Sequence, residues 1–212
     1  MKLKAFKELE KGFIDFKKGE TKYQIDSVFD MHKMTSDAIN ELLVKGAGMM
    51  SANEVFCCYG VYRGASLLPV AWKNPNVRCI GVDNWSKFDA DGKNKGIIDG
   101  YIKKLGIKNI ELFEVDFKDY FKNCQDKIGL LFADGDHSYE ATLEALELAD
   151  PVMGKNGIII IDDTDRQEVK NAVNEFVKRS GYKLLWDMAG TKEIKDRHMA
   201  KAWWSGVMVI HK

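Results

Sequence analysis

What this 212-residue sequence lacks rules out several classes of protein. Its 32 basic and 32 acidic side chains cancel, so nothing draws the chain globally toward nucleic acid or anionic lipid, and neither is expected as a partner. No stretch approaches the ~18 consecutive apolar residues of a membrane helix. The opening residues, MKLKAFKELEKGF, alternate charged and apolar side chains and build no apolar signal core. The expected location is the cytoplasm. Four cysteines (Cys57, Cys58, Cys79 and Cys124) show no metal-ligand spacing and read as reduced, mostly buried thiols. There are only three prolines, and no Pro/Gly/Ser linker, low-complexity tract or internal repeat marks a domain boundary. Residues 1–212 therefore read as a single domain, with a hydrophobic share of 45% that suits a buried core.

What is present is an alternation. Strand-like apolar runs stand at Val55–Tyr59, Val77–Val82, Ile110–Val115, Ile128–Ala133 and Ile158–Ile161. Helical patterns over Gly64–Trp72, Lys95–Leu105, Tyr139–Leu148 and Arg166–Arg179 separate them, and a further helix runs from Ser36 to Gly46 and Gly48. In the last pattern Asp165 and Glu168 occupy capping-box positions. Strands without polar alternation are buried on both faces, as in parallel sheets covered by helices. Two more runs, Tyr182–Trp186 and Gly206–His211, have no helix between them and should pair antiparallel as a closing hairpin. The expected fold is α/β, Rossmann-like and doubly wound, with a mostly parallel sheet and an antiparallel C-terminal hairpin strand. Residues 1–34 form an N-terminal helical extension or lid. Their Phe6, Leu9, Phe13 and Phe16 pack on the domain or on a second copy of the chain, which leaves a homodimer open.

The first strand leads into Gly60-Val61-Tyr62-Arg63-Gly64-Ala65-Ser66. Gly60 permits a tight turn and close approach of a ligand to bare backbone. Gly64 lets a helix start near the strand, and Ser66 offers a hydroxyl. The next strand ends in Asp83, where a carboxylate can accept ribose hydroxyls in nucleotide-binding βαβ units. The third ends near Asp116 and Phe117, placed to meet the amino group and flank of an adenine. An adenosyl cofactor at the carboxyl edge of the sheet follows from this set.

The fourth and fifth strands both run out into acids: Ala133-Asp134-Gly135-Asp136-His137-Ser138 and Ile161-Asp162-Asp163-Thr164-Asp165. Neighbouring strands lie ~4.8 Å apart, which would bring Asp134 near Asp162 and Asp163. Converging carboxylates repel unless a cation or proton sits among them, and oxygen ligation suits Mg²⁺ or a similar hard cation. His137 or Asp136 could take a proton from a hydroxyl held there. His32, His198 and His211 have no comparable setting.

With these motifs in view, the chain resembles the class I S-adenosylmethionine-dependent methyltransferases. It looks closest to their metal-dependent O-methyltransferase branch, of catechol, caffeoyl-CoA and antibiotic-sugar type. The resemblance spans roughly Met34 to Asp163 and implies a seven-stranded sheet. It also implies S-adenosylmethionine contacts at Thr35, Gly60, Ser66, Asp83, Asp116 and Phe117, and metal ligation by Asp134, Asp162 and Asp163. The base stands at His137 in one branch and at Asp136 in another. One position departs from the pattern: the usual acid two residues before the first glycine is replaced by Cys58, whose neutral thiol cannot pair with an ammonium. The resemblance implies methyl transfer to a small hydroxylated acceptor, a sugar or a phenol-like ring. The alternatives are an adenosyl-binding protein without catalysis and a nicotinamide-dependent oxidoreductase. Acceptor choice falls to residues 1–34, 84–97 and 187–204, where Trp85, Trp203 and Trp204 could stack on a ring.

Overall fold

Val55–Tyr59 (β1) and Ile128–Ala133 (β4) are buried at every residue, as expected of strands with helices on both sides. In the computed structural model, which describes residues 2–24, 28–190 and 202–212, they pair in parallel at the centre of the sheet. Cys79–Val82 (β2) and Ile110–Phe113 (β3) extend the sheet on one side. Met153–Ile161 (β5), Lys183–Met188 (β6) and Val207–His211 (β7) extend it on the other. The order is β3-β2-β1-β4-β5-β7-β6. The expected hairpin exists, but β7 slots between β5 and β6 and pairs antiparallel with both.

Alternate residues of each central strand serve opposite faces. Phe56, Cys58, Leu130, Phe132 and Ile158 join one core. There they meet Asp37–Ala47 (α2), Leu68–Lys73 (α3) and Asn94–Leu105 (α4). Cys57, Tyr59, Leu131, Ala133 and Ile159 join the other, against Phe117–Asn123 (α5), Tyr139–Ala149 (α6) and Gln167–Ser180 (α7). The adjacent cysteines thus belong to different cores, and all four cysteines are free. No described helix is long and apolar enough to cross a membrane.

Three local expectations change. Helix α3 begins at Leu68, with Pro69 in its first turn, so Ser66 stands in the preceding turn. The sequence pattern missed α5, which is short and is capped by Asp116. Asp165 does not cap α7. Its carboxylate accepts the Gly190 N–H at 3.0 Å, and the residue before the helix is Arg166, whose side chain makes no capping bond.

Among its described residues the N-terminal segment contributes a four-residue α-helix, Leu3–Phe6 (α1), and a 3₁₀ turn over Leu9–Gly12, yet it is anchored. Phe6 stacks on Trp186 and Phe13 leans on Trp203, with centroids 5.4 and 5.5 Å apart. Trp203 is 0% exposed, and its indole donates to the Phe16 carbonyl at 2.7 Å. Trp203→Ala should therefore cost about 3–5 kcal/mol, read as a lower urea midpoint. A midpoint unchanged from wild type would mean that the segment is not packed this way.

Candidate active site

The strand order reverses between β1 and β4, and open α/β sheets bind ligands in the crevice at the carboxyl ends of such a pair. The loop after β1 enters that crevice at Gly60, with φ +80°. A Cβ there would overlap the Asp134 carbonyl oxygen and lie 2.5 Å from its carbon. Glycine is thus required by the neighbouring strand's own backbone, before any ligand is considered. Asp83, at the end of β2, braces this loop. Its Oδ2 accepts the Val61 and Tyr62 N–H groups at 2.8 and 2.9 Å, and its Oδ1 accepts that of Trp85 at 2.7 Å. A carboxylate has about four acceptor directions, so one remains for a ribose hydroxyl.

The other cofactor candidates border the same edge. Thr35 is 1% exposed, and among the described residues its Oγ1 has no hydrogen-bond partner. Ser66 is buried. Asp116 caps α5 by accepting the Lys118 N–H at 2.9 Å, and its other oxygen accepts from the Asn84 amide at 3.4 Å. The ring of Phe117 leans on Tyr59, with centroids 5.5 Å apart. Cys58 is fully buried. Burial, and then the charge of Asp134, push its thiol well above the ordinary range, so it stays neutral.

The acids at the ends of β4 and β5 arise from register. Ala133 pairs with Ile161, and the Asp162 N–H donates to the Ala133 carbonyl at 3.0 Å. Asp162 is 2% exposed, and neither carboxylate oxygen has a partner among the described residues. Burial first, then the charges of Asp162 and Asp163, raise the Asp134 carboxyl well above the usual range, and burial and then Asp163 do the same to Asp162. Asp163 has φ +56°, which turns it toward the α6 loop. Its Oδ2 lies 2.6 Å from His137 Nε2, a close contact without hydrogen-bond alignment. Burial alone would raise the Asp163 carboxyl, but the histidine beside it brings it below the usual value.

The trio read from the sequence was Asp134, Asp162 and Asp163. Among the described residues, the side chains whose ligand atoms all gather within 4.8 Å are Asp134, His137 and Asp163, with Asp162 buried beside them. Asp136 faces away. It pairs with Lys87 at 2.5 Å and accepts the Ser138 N–H at 2.8 Å. These bonds hold its carboxyl far below the usual range, so it is a poor proton acceptor.

The donor set fits a divalent cation. A buried Asp162 carboxylate without a partner among the described residues, beside the half-buried Asp134, is the arrangement a positive ion relieves. Of the three tryptophans expected to stack on an acceptor, Trp204 is half-buried against one core and the other two are buried. Trp203 is core, and Trp85 is buried with its indole donating to the Tyr62 carbonyl at 2.9 Å. The segment 191–201, with His198, lies outside the described residues.

A family model described as "Methyltransferase domain" matches residues 58–164, half of the chain. No curated protein matches. Among solved structures, the chain is similar to the O-methyltransferase TomG from Streptomyces achromogenes, involved in tomaymycin synthesis and in complex with SAM. The TM-score is 0.64 at 13% identity, over 99% of this chain and 88% of that one. A putative caffeoyl-CoA O-methyltransferase from Staphylococcus aureus gives 0.58 at 12%, over 100% and 92%. Precorrin-6y C5,15-methyltransferase from Geobacter metallireducens gives 0.61 at 17%, over 88% and 95%. At these identities the likeness is one of fold.

Proposed function

The chain belongs to the methyltransferase-domain family, and from that premise we propose that it transfers the methyl group of S-adenosylmethionine to a hydroxyl of a small molecule, with a divalent cation assisting. The observation that carries the metal-assisted reading is Asp162, whose buried carboxylate has no partner among the described residues and stands at the same sheet edge as the glycine loop.

Bound S-adenosylmethionine supplies an electrophilic methyl on a sulfonium. The loop from Gly60 to Gly64, braced by Asp83, would orient it, with Thr35, Ser66, Asp116 and Phe117 around it. Fixing methyl and hydroxyl in line supplies much of the acceleration. Asp134, Asp162 and Asp163 would hold a divalent cation such as Mg²⁺, which would supply Lewis acidity toward a hydroxyl. His137 Nε2 would take the proton, with Asp163 stabilising the resulting imidazolium at 2.6 Å.

His137→Ala should lower kcat by about 10²–10⁴ and leave the affinity for S-adenosylhomocysteine within twofold. Asp136→Asn should change kcat little, because that carboxylate is held by Lys87 and Ser138. The reverse ranking would reassign the base.

A second reading, an adenosyl-binding protein without catalysis, is favoured by Cys58, whose buried thiol carries no charge toward the cofactor. Calorimetric titration with S-adenosylhomocysteine, with and without Mg²⁺, tests the first requirement of both. Saturable binding justifies an acceptor screen, and total absence of binding in both conditions rejects cofactor use. With binding secured, Mg²⁺-dependent turnover of any hydroxylated acceptor rejects the non-catalytic reading.

A further inference from the structure

The histidine has a second capacity at this site. Imidazole nitrogen suits Zn²⁺, Co²⁺ and Ni²⁺, whereas Mg²⁺ favours oxygen donors. His137 Nε2 is buried, lacks a hydrogen-bond partner among the described residues, and lies 2.6 Å from Asp163 Oδ2. Asp134 brings a carboxylate oxygen into the same space, all three ligand atoms falling within 4.8 Å of one another. An independent observation points to a cation at this place. Asp162, 2% exposed, has no partner for either oxygen among the described residues.

We infer that this edge of the sheet holds a second, nitrogen-containing metal site, formed by His137, Asp134 and Asp163 and selective for borderline-soft divalent ions. It shares two carboxylates with the oxygen-only site, so the two occupancies exclude each other. The functional consequence rests on the proposed methyl transfer. An ion that captures Nε2 removes the proton acceptor, so Zn²⁺ or Co²⁺ should inhibit where Mg²⁺ supports activity.

The test is binding, and it needs no acceptor. Co²⁺ is titrated into the full chain and followed by its visible d–d absorption, and Mg²⁺ is followed by calorimetry, in wild type and in His137→Gln. The variant should bind Co²⁺ about tenfold or more weakly, with an altered band, while its Mg²⁺ affinity stays within twofold. Equal Co²⁺ affinity and an unchanged band in the variant would overturn the site. If His137→Gln fails to fold, imidazole resonances of the wild type decide. The His137 signal must move on addition of Zn²⁺ and stay in place on addition of Mg²⁺; a signal indifferent to Zn²⁺ overturns the inference. S-adenosylhomocysteine titrated into the same samples separates this idea from the parent reading. Co²⁺ binding through His137 without S-adenosylhomocysteine binding supports the metal site and rejects methyl transfer. S-adenosylhomocysteine binding with Co²⁺ affinity indifferent to His137 rejects the metal site alone.

Discussion

Replacing Gly60 by alanine should lower stability by about 3 kcal/mol or more and abolish binding of S-adenosylhomocysteine. The added methyl meets the carbonyl of Asp134, which is backbone and cannot swing away. The φ of +80° adds strain for any residue with a Cβ. Relief requires β1 and β4 to part at their carboxyl ends, which moves the loop and the first acid of the cluster together. The control is Gly100→Ala in the interior of α4, where a Cβ meets nothing within 4 Å. That change should stabilise by about 0.5–1 kcal/mol, through helix propensity and a less flexible unfolded chain. Urea denaturation reads both. Equal midpoints for the two variants would mean that Gly60 is not pinned by Asp134.

Asp162→Asn should separate activity from stability. Methyl transfer should fall by about a hundredfold or more, while affinity for S-adenosylhomocysteine stays within a few-fold of wild type. In chelator, the variant should be more stable than wild type at neutral pH. The sign follows from linkage. The Asp162 carboxyl titrates higher in the folded state than in the unfolded one, so between those two values the folded state binds more protons. Its contribution to stability therefore declines as pH rises from near the ordinary value of 3.8 toward the raised one. Asparagine removes that decline. Denaturation at stepped pH in chelator should show the gap between variant and wild type opening as pH rises through mild acid. A gap that stays constant would mean that Asp162 titrates normally, and the argument for a cation beside it would lose its support.

Much of the architecture is legible because the strands are buried on both faces. Runs such as Leu130-Leu131-Phe132-Ala133 have no competing reading in a chain punctuated by glycine and acid. The site acids are legible for a related reason: a charged residue directly after an apolar strand must emerge at the sheet edge. Three things escape. The position of β7 between β5 and β6 depends on long-range pairing, for which alternation carries no signal. Helix α5 escapes because seven residues give too few turns for a periodic face, although Asp116 before Tyr120 and Phe121 is a capping signal that could have found it. The gathering of His137 with Asp134 and Asp163 depends on the left-handed turn at Asp163, a conformation that no pattern of residue types specifies. Cys58 is legible as a substitution in the loop, whereas its complete burial becomes visible only once the two cores are known.

The placement of β7 has a consequence for how the protein is made. Strand β6 leaves the ribosome before β7, yet β7 is its only pairing partner among the described residues. During synthesis, therefore, β5 has one open edge and β6 has two, until Val207–His211 arrives. Open strand edges template association with other chains. Slow translation between Met188 and Val207 should thus favour self-association of nascent chains, whereas rapid delivery of β7 covers the β5 edge and one β6 edge in one step, leaving β6 as the outer strand.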